Sequence, residues 1–148
     1  GALSELSRRF EDHTFVYPVH LNPRVQGPVH ETLGDRPNVK LLAPRSYEEF
    51  LVLMQHCRVV LTDSGGVQEE APSLGKPVLV MRENTERPEG VEAGTVRLVG
   101  ADRDRIVAAV EELLVDEDAY AEMARAENPY GDGKASQRSV EELARILG

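Results

Sequence analysis

Cysteine and tryptophan are almost absent: Cys57 is the only cysteine in 148 residues, and there is no tryptophan. One thiol excludes an intrachain disulfide and a cysteine-rich zinc site. Its neighbours in "LMQHC" read as a buried, unreactive side chain, and such cysteine usage suits a reducing compartment, so the cytoplasm is the expected location. Long apolar runs are also missing. Nothing approaches the about 18 apolar residues needed to cross a bilayer, so no membrane partner is expected. The opening "GALSELSRRFEDHT" carries charges where a secretory leader needs an apolar core, and no export signal is read in it. Positive charge is scarce: 17 Lys and Arg stand against 26 Asp and Glu, a net charge of −9. That balance argues against nucleic acid as a partner, because phosphate-backbone affinity draws on Lys and Arg. It leaves room for a local basic pocket that takes one small anion.

What is present has the size of one domain. A chain this long buries roughly 68–70% of its unfolded surface, and 41% of its residues are hydrophobic. Apolar positions alternate between helical and extended spacing. Leu3, Leu6 and Phe10 share one helical face. Strands are expected at 14–19, 38–42, 58–62, 77–81 and 95–99. Between them, Val25, Val29 and Leu33 line a helix despite Pro28. Ser46 and Glu49 form a capping box ahead of Phe50, Leu53, Met54 and Cys57. "VQEEAPSL" forms a short helix that Gly75 and Pro77 end. Strand 58–62 is nearly all apolar, as a parallel strand covered on both faces should be. Asp102 caps a helix carrying Ile106, Val110, Leu113 and Leu114. Another follows Asp116, with Tyr120 and Met123 inward, until "NPYGDG" breaks it. Val140, Leu143 and Leu147 mark a last amphipathic helix. The fold class is therefore α/β: a parallel sheet flanked by helices, with right-handed crossovers. The chain opens on a helix where doubly wound domains open on a strand. Either a first strand is absent upstream or the helical start is natural.

Ligands of open α/β sheets gather beyond the carboxyl ends of the strands. "TDSGGVQEE" lies there, between strand 58–62 and the next helix. Glycines let a ligand approach the backbone, and a helix N-terminus offers free N–H groups and the positive end of a dipole. With the Ser64 hydroxyl, Gly65 and Gly66 suit a phosphate, although tight turns use the same residues. Glu70 is about one turn into the helix. Its carboxylate would accept two hydroxyl protons, as from a ribose diol, or it and Glu69 would simply favour the helix N-terminus by charge. The two are adjacent, so one should be solvated. In "RENTERPEG" Arg82 and Arg87 are the cations whose forks match phosphate oxygens, diluted by Glu83, Glu86 and Glu89. Phe50 would offer its ring to a flat base or serve the core stripe of its helix. His20, in "PVHLNP", would contact an anion or hold the turn. His13, His30 and His56 lack metal-ligand spacing, so no metal is expected, and no Walker, dinucleotide or hydrolase signature occurs.

"PVHLNPRV", "LTDSGGVQEEAPSLGKPVLVMRENTERPEGVEAGTVRLVG" and "NPYGDGKAS", in this order over nearly the whole chain, closely resemble the bacterial non-hydrolysing UDP-N-acetylglucosamine 2-epimerases. The resemblance implies a glycosyltransferase-B architecture of two Rossmann-like domains. Residues 1–148 correspond to the C-terminal, UDP-binding one; the N-terminal catalytic half and the first strand of this domain would be absent. By the family pattern Ser64, Gly65 and Gly66 hold the diphosphate, Glu70 takes the ribose hydroxyls, Phe50 lies against the uracil and Arg87 contacts the diphosphate. Arg45 stands where the family contacts the base largely through backbone and often has glutamine. His20 stands at a position associated with a second, effector UDP-N-acetylglucosamine. The family's acidic catalytic residues and its histidine–arginine strand belong to the absent parts.

The family interconverts UDP-N-acetylglucosamine and UDP-N-acetylmannosamine, by elimination of UDP and its re-addition. The resemblance thus implies an isomerase of nucleotide-sugar metabolism serving cell-envelope polysaccharides. It needs no cofactor, and the full-length enzyme is expected to be a homodimer. The isolated chain would bind UDP and lack chemistry. Two other readings fit the same contacts: a UDP-sugar glycosyltransferase domain, and a non-catalytic nucleotide-sugar-binding fragment.

Overall fold

The structure, a computed structural model, describes residues 1–147. Its elements alternate as helical and extended spacing require. The strands are β1 (Phe15–Pro18), β2 (Val39–Leu42), β3 (Val60–Thr62), β4 (Val78–Val80) and β5 (Val96–Leu98). The helices are α1 (Ala2–Arg9), α2 (Pro23–Leu33), α3 (Tyr47–His56), α4 (Gly65–Ser73), α5 (Pro88–Glu92), α6 (Arg103–Val115), α7 (Glu117–Arg125) and α8 (Ala135–Leu147). Local chemistry starts most of them. Asn22 Oδ1 accepts from the Arg24 N–H at 3.0 Å, with Pro23 at the first helical position. Ser46 and Glu49 close the capping box reciprocally, at 3.3 and 3.0 Å. Asp102 caps α6 through the Arg105 N–H at 2.8 Å. Helix α2 runs through Pro28. At the end of α4 Gly75 adopts φ +66°, a left-handed turn that glycine enters without a Cβ clash.

All the pairings are parallel, but they form two ladders. β1 pairs with β2, and β3–β4–β5 form a separate three-stranded sheet. One continuous sheet was expected, and β3 was expected to be its strand covered on both faces. That strand is instead β4, where Val78, Leu79 and Val80 are all fully buried. β3 is only half-buried along its length, because one of its edges has no neighbour.

Two apolar layers flank the sheets. On one side Leu79 packs with Leu6 of α1, with Ile106, Val107, Val110 and Leu113 of α6, and with Met123 of α7. On the other, Val78, Val80 and Val96 meet Met54 of α3 and Ala71 of α4. Ion pairs from Arg9 to Glu111 (2.8 Å) and from Arg103 to Glu5 tie α1 to α6. Helix α8 takes no part in either layer. None of its side chains is buried, and Val140, Leu143, Ile146 and Leu147 are exposed. Among the described residues no helix is long and apolar enough to cross a membrane.

Cys57 caps the end of α3, half-buried, with its thiol directed at the Met54 carbonyl oxygen (3.2 Å). Burial pushes the thiol pKa up, against a weaker opposing pull from Lys76. The thiolate is the reactive form, so a raised pKa leaves Cys57 protonated and slow to react at neutral pH. Iodoacetamide should label it more slowly than an unfolded-chain cysteine at pH 7–8, and urea should abolish the difference. Equal rates in folded and unfolded chain would contradict this.

Candidate functional site

Helix α4 starts sooner than its apolar spacing suggests, at Gly65 itself. Ser64 occupies the N-cap position with extended backbone, yet its hydroxyl makes no capping bond. The N–H groups of the first turn have no intrahelical acceptor, and here the usual side-chain cap is missing too. A Cβ built on Gly66 would meet nothing within 4 Å. The protein therefore does not need glycine there for its own packing, and the backbone faces open space. Gly65 is different: its Cβ would lie 3.0 Å from Arg87 Nη1 and 3.0 Å from Glu86 Oε1. The Arg87 guanidinium comes this close to the start of α4.

A partly buried relay holds that arrangement. Gln68, one turn into α4, is fully buried. Its Nε2 donates to the Ser64 carbonyl oxygen at 3.2 Å, and its Oε1 accepts from the Thr85 hydroxyl at 2.7 Å. Thr85 Oγ1 in turn accepts the Arg87 N–H at 3.1 Å. From the far side the Tyr130 hydroxyl reaches the Arg87 carbonyl oxygen at 3.4 Å. It sits where a Cβ on the buried Gly90 of α5 would clash, at 2.7 Å. Thus the "NPYGDG" turn supports the loop that carries Arg87. Reading residue by residue assigned no role to Gln68 or Thr85. The signal was available: a polar residue at i+4 from Ser64, on the same inward face of α4 as Ala71 and Pro72.

Charges around Arg87 are closely balanced. It hydrogen-bonds Glu69 through Nε and pairs with Glu86 through Nη1 at 2.9 Å. The bond it donates to Glu69 raises the Arg87 pKa further, so the guanidinium stays charged. Glu86 also accepts from Arg82 at 2.9 Å. Its carboxyl is held below the usual range, first by its own backbone N–H and then by Arg82 and Arg87. Glu83 pairs with Arg105 at 3.4 Å. A single aimed arginine, already partnered by carboxylates, is what this loop presents. Glu69 is consequently not the freely solvated member of its pair. Among the described residues Glu70, half-buried on α4, makes no ion pair or side-chain hydrogen bond, whereas Glu69 makes both.

The other candidates follow β1 and β2 or lie within α3. Arg45 follows β2 and pairs with Glu49 at 3.7 Å. Phe50, half-buried in α3, packs against the layer of Met54, Val78 and Val96, which is the stripe role its spacing allowed. His20 follows β1, is exposed, and accepts the Asn22 N–H through Nδ1 at 3.1 Å, which holds the turn into α2. The structure thus brings Ser64, Gly65, Gly66 and Arg87 into one corner with Glu69 and Glu86, and it leaves His20 in a different ladder. Among the described residues no group of three His, Cys, Asp or Glu side chains is placed to hold a metal.

Residues 1–144 match the family model described as UDP-N-acetylglucosamine 2-epimerase. The Escherichia coli K12 UDP-N-acetylglucosamine 2-epimerase is 58% identical over 142 residues, which is 96% of this chain and 38% of that protein. A putative UDP-N-acetylglucosamine 2-epimerase from Listeria monocytogenes superposes with a TM-score of 0.95 at 41% identity, over 99% of this chain and 39% of that one. The Neisseria meningitidis UDP-GlcNAc 2-epimerase, solved with UDP-GlcNAc bound, gives 0.92 at 47% identity, over 97% and 40%. A glycosyltransferase of kitacinnamycin, 20% identical with a TM-score of 0.70, shares the fold alone. The chain therefore spans about 38% of the length of the curated relatives it matches. With its sequence and its fold both matched over nearly its whole length, the chain belongs to the UDP-N-acetylglucosamine 2-epimerase family.

Proposed function

We propose that residues 1–148 are the C-terminal, UDP-binding Rossmann-like domain of a non-hydrolysing UDP-N-acetylglucosamine 2-epimerase. The observation that carries the reading is the corner at α4: an uncapped helix N-terminus, open space at Gly66, and the Arg87 guanidinium beside Gly65. Free N–H groups with a dipole's positive end bind phosphate, and an arginine fork adds charge-assisted bonds. The diphosphate would rest on Ser64, Gly65 and Gly66, against Arg87. Glu70, with no protein partner among the described residues, would take the ribose hydroxyls. Phe50 and Arg45 would border the uracil, and His20 would contact an effector nucleotide sugar.

In the complete enzyme a carboxylate base on the absent half would remove the proton at C2 of the sugar. The C1–O bond would break, its electron pair leaving with UDP, and a C1–C2 double bond would form. Charge grows on the departing diphosphate, where the N–H groups of Gly65 and Gly66 and the Arg87 cation would stabilise it; this contribution is of the oxyanion-hole kind. Return of UDP to C1 on the face it left, with a proton delivered to the opposite face of C2, would complete epimerisation between UDP-N-acetylglucosamine and UDP-N-acetylmannosamine. The complete enzyme would be a cytoplasmic homodimer.

Calorimetry tests the reading on this chain. UDP should bind it, and Glu70→Ala should weaken binding about tenfold, the loss expected for hydrogen bonds to a charged acceptor. Gly66→Val should fold normally, since nothing lies within 4 Å of its Cβ, and should abolish binding by filling the diphosphate space. The chain alone should interconvert neither sugar. Absence of UDP binding, or epimerisation by this chain alone, would overturn the assignment.

A further inference from the structure

The turn "NPYGDG" (128–133) is fastened to both elements that frame the α4 corner. At one end Asn128 Nδ2 donates to Ser73 Oγ, on the last residue of α4, at 2.9 Å. The same side chain shapes the turn, since its Oδ1 accepts the Tyr130 N–H at 3.1 Å. At the other end the half-buried Tyr130 carries its hydroxyl to the start of α5. That helix begins at Pro88 with Arg87 in the N-cap position, and the Arg87 side chain makes no capping bond. The Tyr130 hydroxyl, 43 residues away in sequence, stands there instead. It donates to the Arg87 carbonyl oxygen at 3.4 Å, a long contact for a hydroxyl donor, and it meets a second backbone group of the same turn. Burial pushes its pKa up, while the Gly90 N–H, a donor to the hydroxyl oxygen, pulls the other way.

A glycine makes the space for that hydroxyl. A Cβ at position 90 would stand 2.7 Å from the Tyr130 oxygen and 2.9 Å from Val96 Cγ2, so a larger residue would displace the ring or the strand. The Gly90 carbonyl oxygen accepts from the Thr95 N–H at 3.0 Å and from Thr95 Oγ1 at 3.1 Å, which moors α5 to the segment entering β5. Tyr130 therefore bears on a fixed turn.

The two peptide planes that flank Arg87 are held from different directions. Thr85 Oγ1 accepts the Arg87 N–H at 3.1 Å, in the plane before its Cα. The Tyr130 hydroxyl takes the carbonyl in the plane after it. Peptide units are rigid, so fixing both planes sets the direction in which the side chain leaves the backbone. From there Arg87 reaches Glu69, Glu86 and the start of α4. An arginine loses rotamer freedom when a ligand orders it, and holding its root in advance lowers that cost.

We propose that Tyr130 is a positioning residue for the diphosphate contact: through the Arg87 carbonyl and the first turn of α5, its hydroxyl fixes the direction in which the Arg87 guanidinium meets the ligand. This rests on the reading of Arg87 as a diphosphate contact. It gives the 128–133 turn a part in nucleotide binding that needs no contact with the nucleotide.

Tyr130→Phe keeps the ring and removes only the hydroxyl. Two measurements on this chain test its effect. Without nucleotide, NMR follows solvent exchange of the Arg87 Nε–H, which is bonded to Glu69; the variant should exchange it at least fivefold faster. The Arg58 Nε–H, bonded to the Leu113 carbonyl oxygen at 3.2 Å beyond the other end of β3, should keep the parent rate. With UDP, calorimetry should show binding about fivefold weaker, the loss expected for one neutral hydrogen bond, while urea unfolding shows that the variant is folded. A brace with no bearing on the ligand would shift the urea midpoint and move neither readout. A parental Arg87 Nε–H rate overturns the proposal, and so does parental UDP affinity. If the parent chain binds no UDP, the diphosphate reading falls and this proposal with it; if the parent binds UDP and the variant matches it, this proposal alone is overturned.

Discussion

Arg87→Ala should weaken UDP binding to this chain by roughly a hundredfold, at the upper end for loss of a charge-assisted contact. Two effects add. The cation that would meet the diphosphate disappears, and Glu69 and Glu86, which Arg87 neutralises, are left as bare carboxylates beside the helix start. Like charges a few ångströms apart repel, so the variant should be worse than a site that merely lacks an arginine. The same geometry gives an opposite expectation for Glu69→Gln. That change frees the fork without deleting it, and binding should tighten a few-fold. The two-carboxylate grip is a competitor that the ligand displaces. Calorimetry on the pair decides: if Arg87→Ala binds UDP like the parent chain, or if Glu69→Gln binds it more weakly, Arg87 is a structural ion-pair partner and not a diphosphate contact.

Gln68→Leu should cost about 1–2 kcal/mol of stability, from partly buried polar groups left without partners. The side chain is fully buried, and both ends of its amide are used. Leucine of similar size fills the space but leaves the Ser64 carbonyl and the Thr85 hydroxyl unanswered. Thr85 also holds the Arg87 N–H, so the loss should extend beyond stability: UDP affinity should fall although Gln68 would not touch the ligand. Urea unfolding reads the first effect and calorimetry the second. A stability change within about 0.5 kcal/mol, the range of ordinary surface substitutions, would mean the relay has no structural weight. Thr85→Val separates the two halves, since it keeps the volume and removes only the hydroxyl that joins Gln68 to Arg87.

Elements were the most legible layer. Each of the five strands lies inside the segment its apolar run marks out, trimmed by one or two residues, because an apolar stretch sets a strand's existence more firmly than its ends. The capping box at Ser46 and the cap at Asp102 were readable because capping is local: donor and acceptor lie three residues apart. The glycine turn and its arginine were readable for a related reason, as residue types whose chemistry does not depend on context. Helix α5 was not. It is five residues long, in a segment that reads as a charged loop, and the burial of Gly90 against Tyr130 and Val96 is a long-range contact.

By itself the sequence determined the alternation of strands and helices, the choice of a phosphate-suited turn at Ser64–Gly66, and the family. All of these follow from spacing and residue type along a short stretch of chain. The tertiary structure alone decided which glutamate engages Arg87, that Gln68 and Thr85 carry its support, that β4 rather than β3 lies at the buried centre, and that the sheet is divided beside β3. The physical reason is the same in each case. Adjacent carboxylates, polar residues in apolar helices and equally apolar strands are indistinguishable until their neighbours across the fold are set. Those neighbours lie 17 positions apart for Gln68 and Thr85 and 18 for Glu69 and Arg87, brought together by packing.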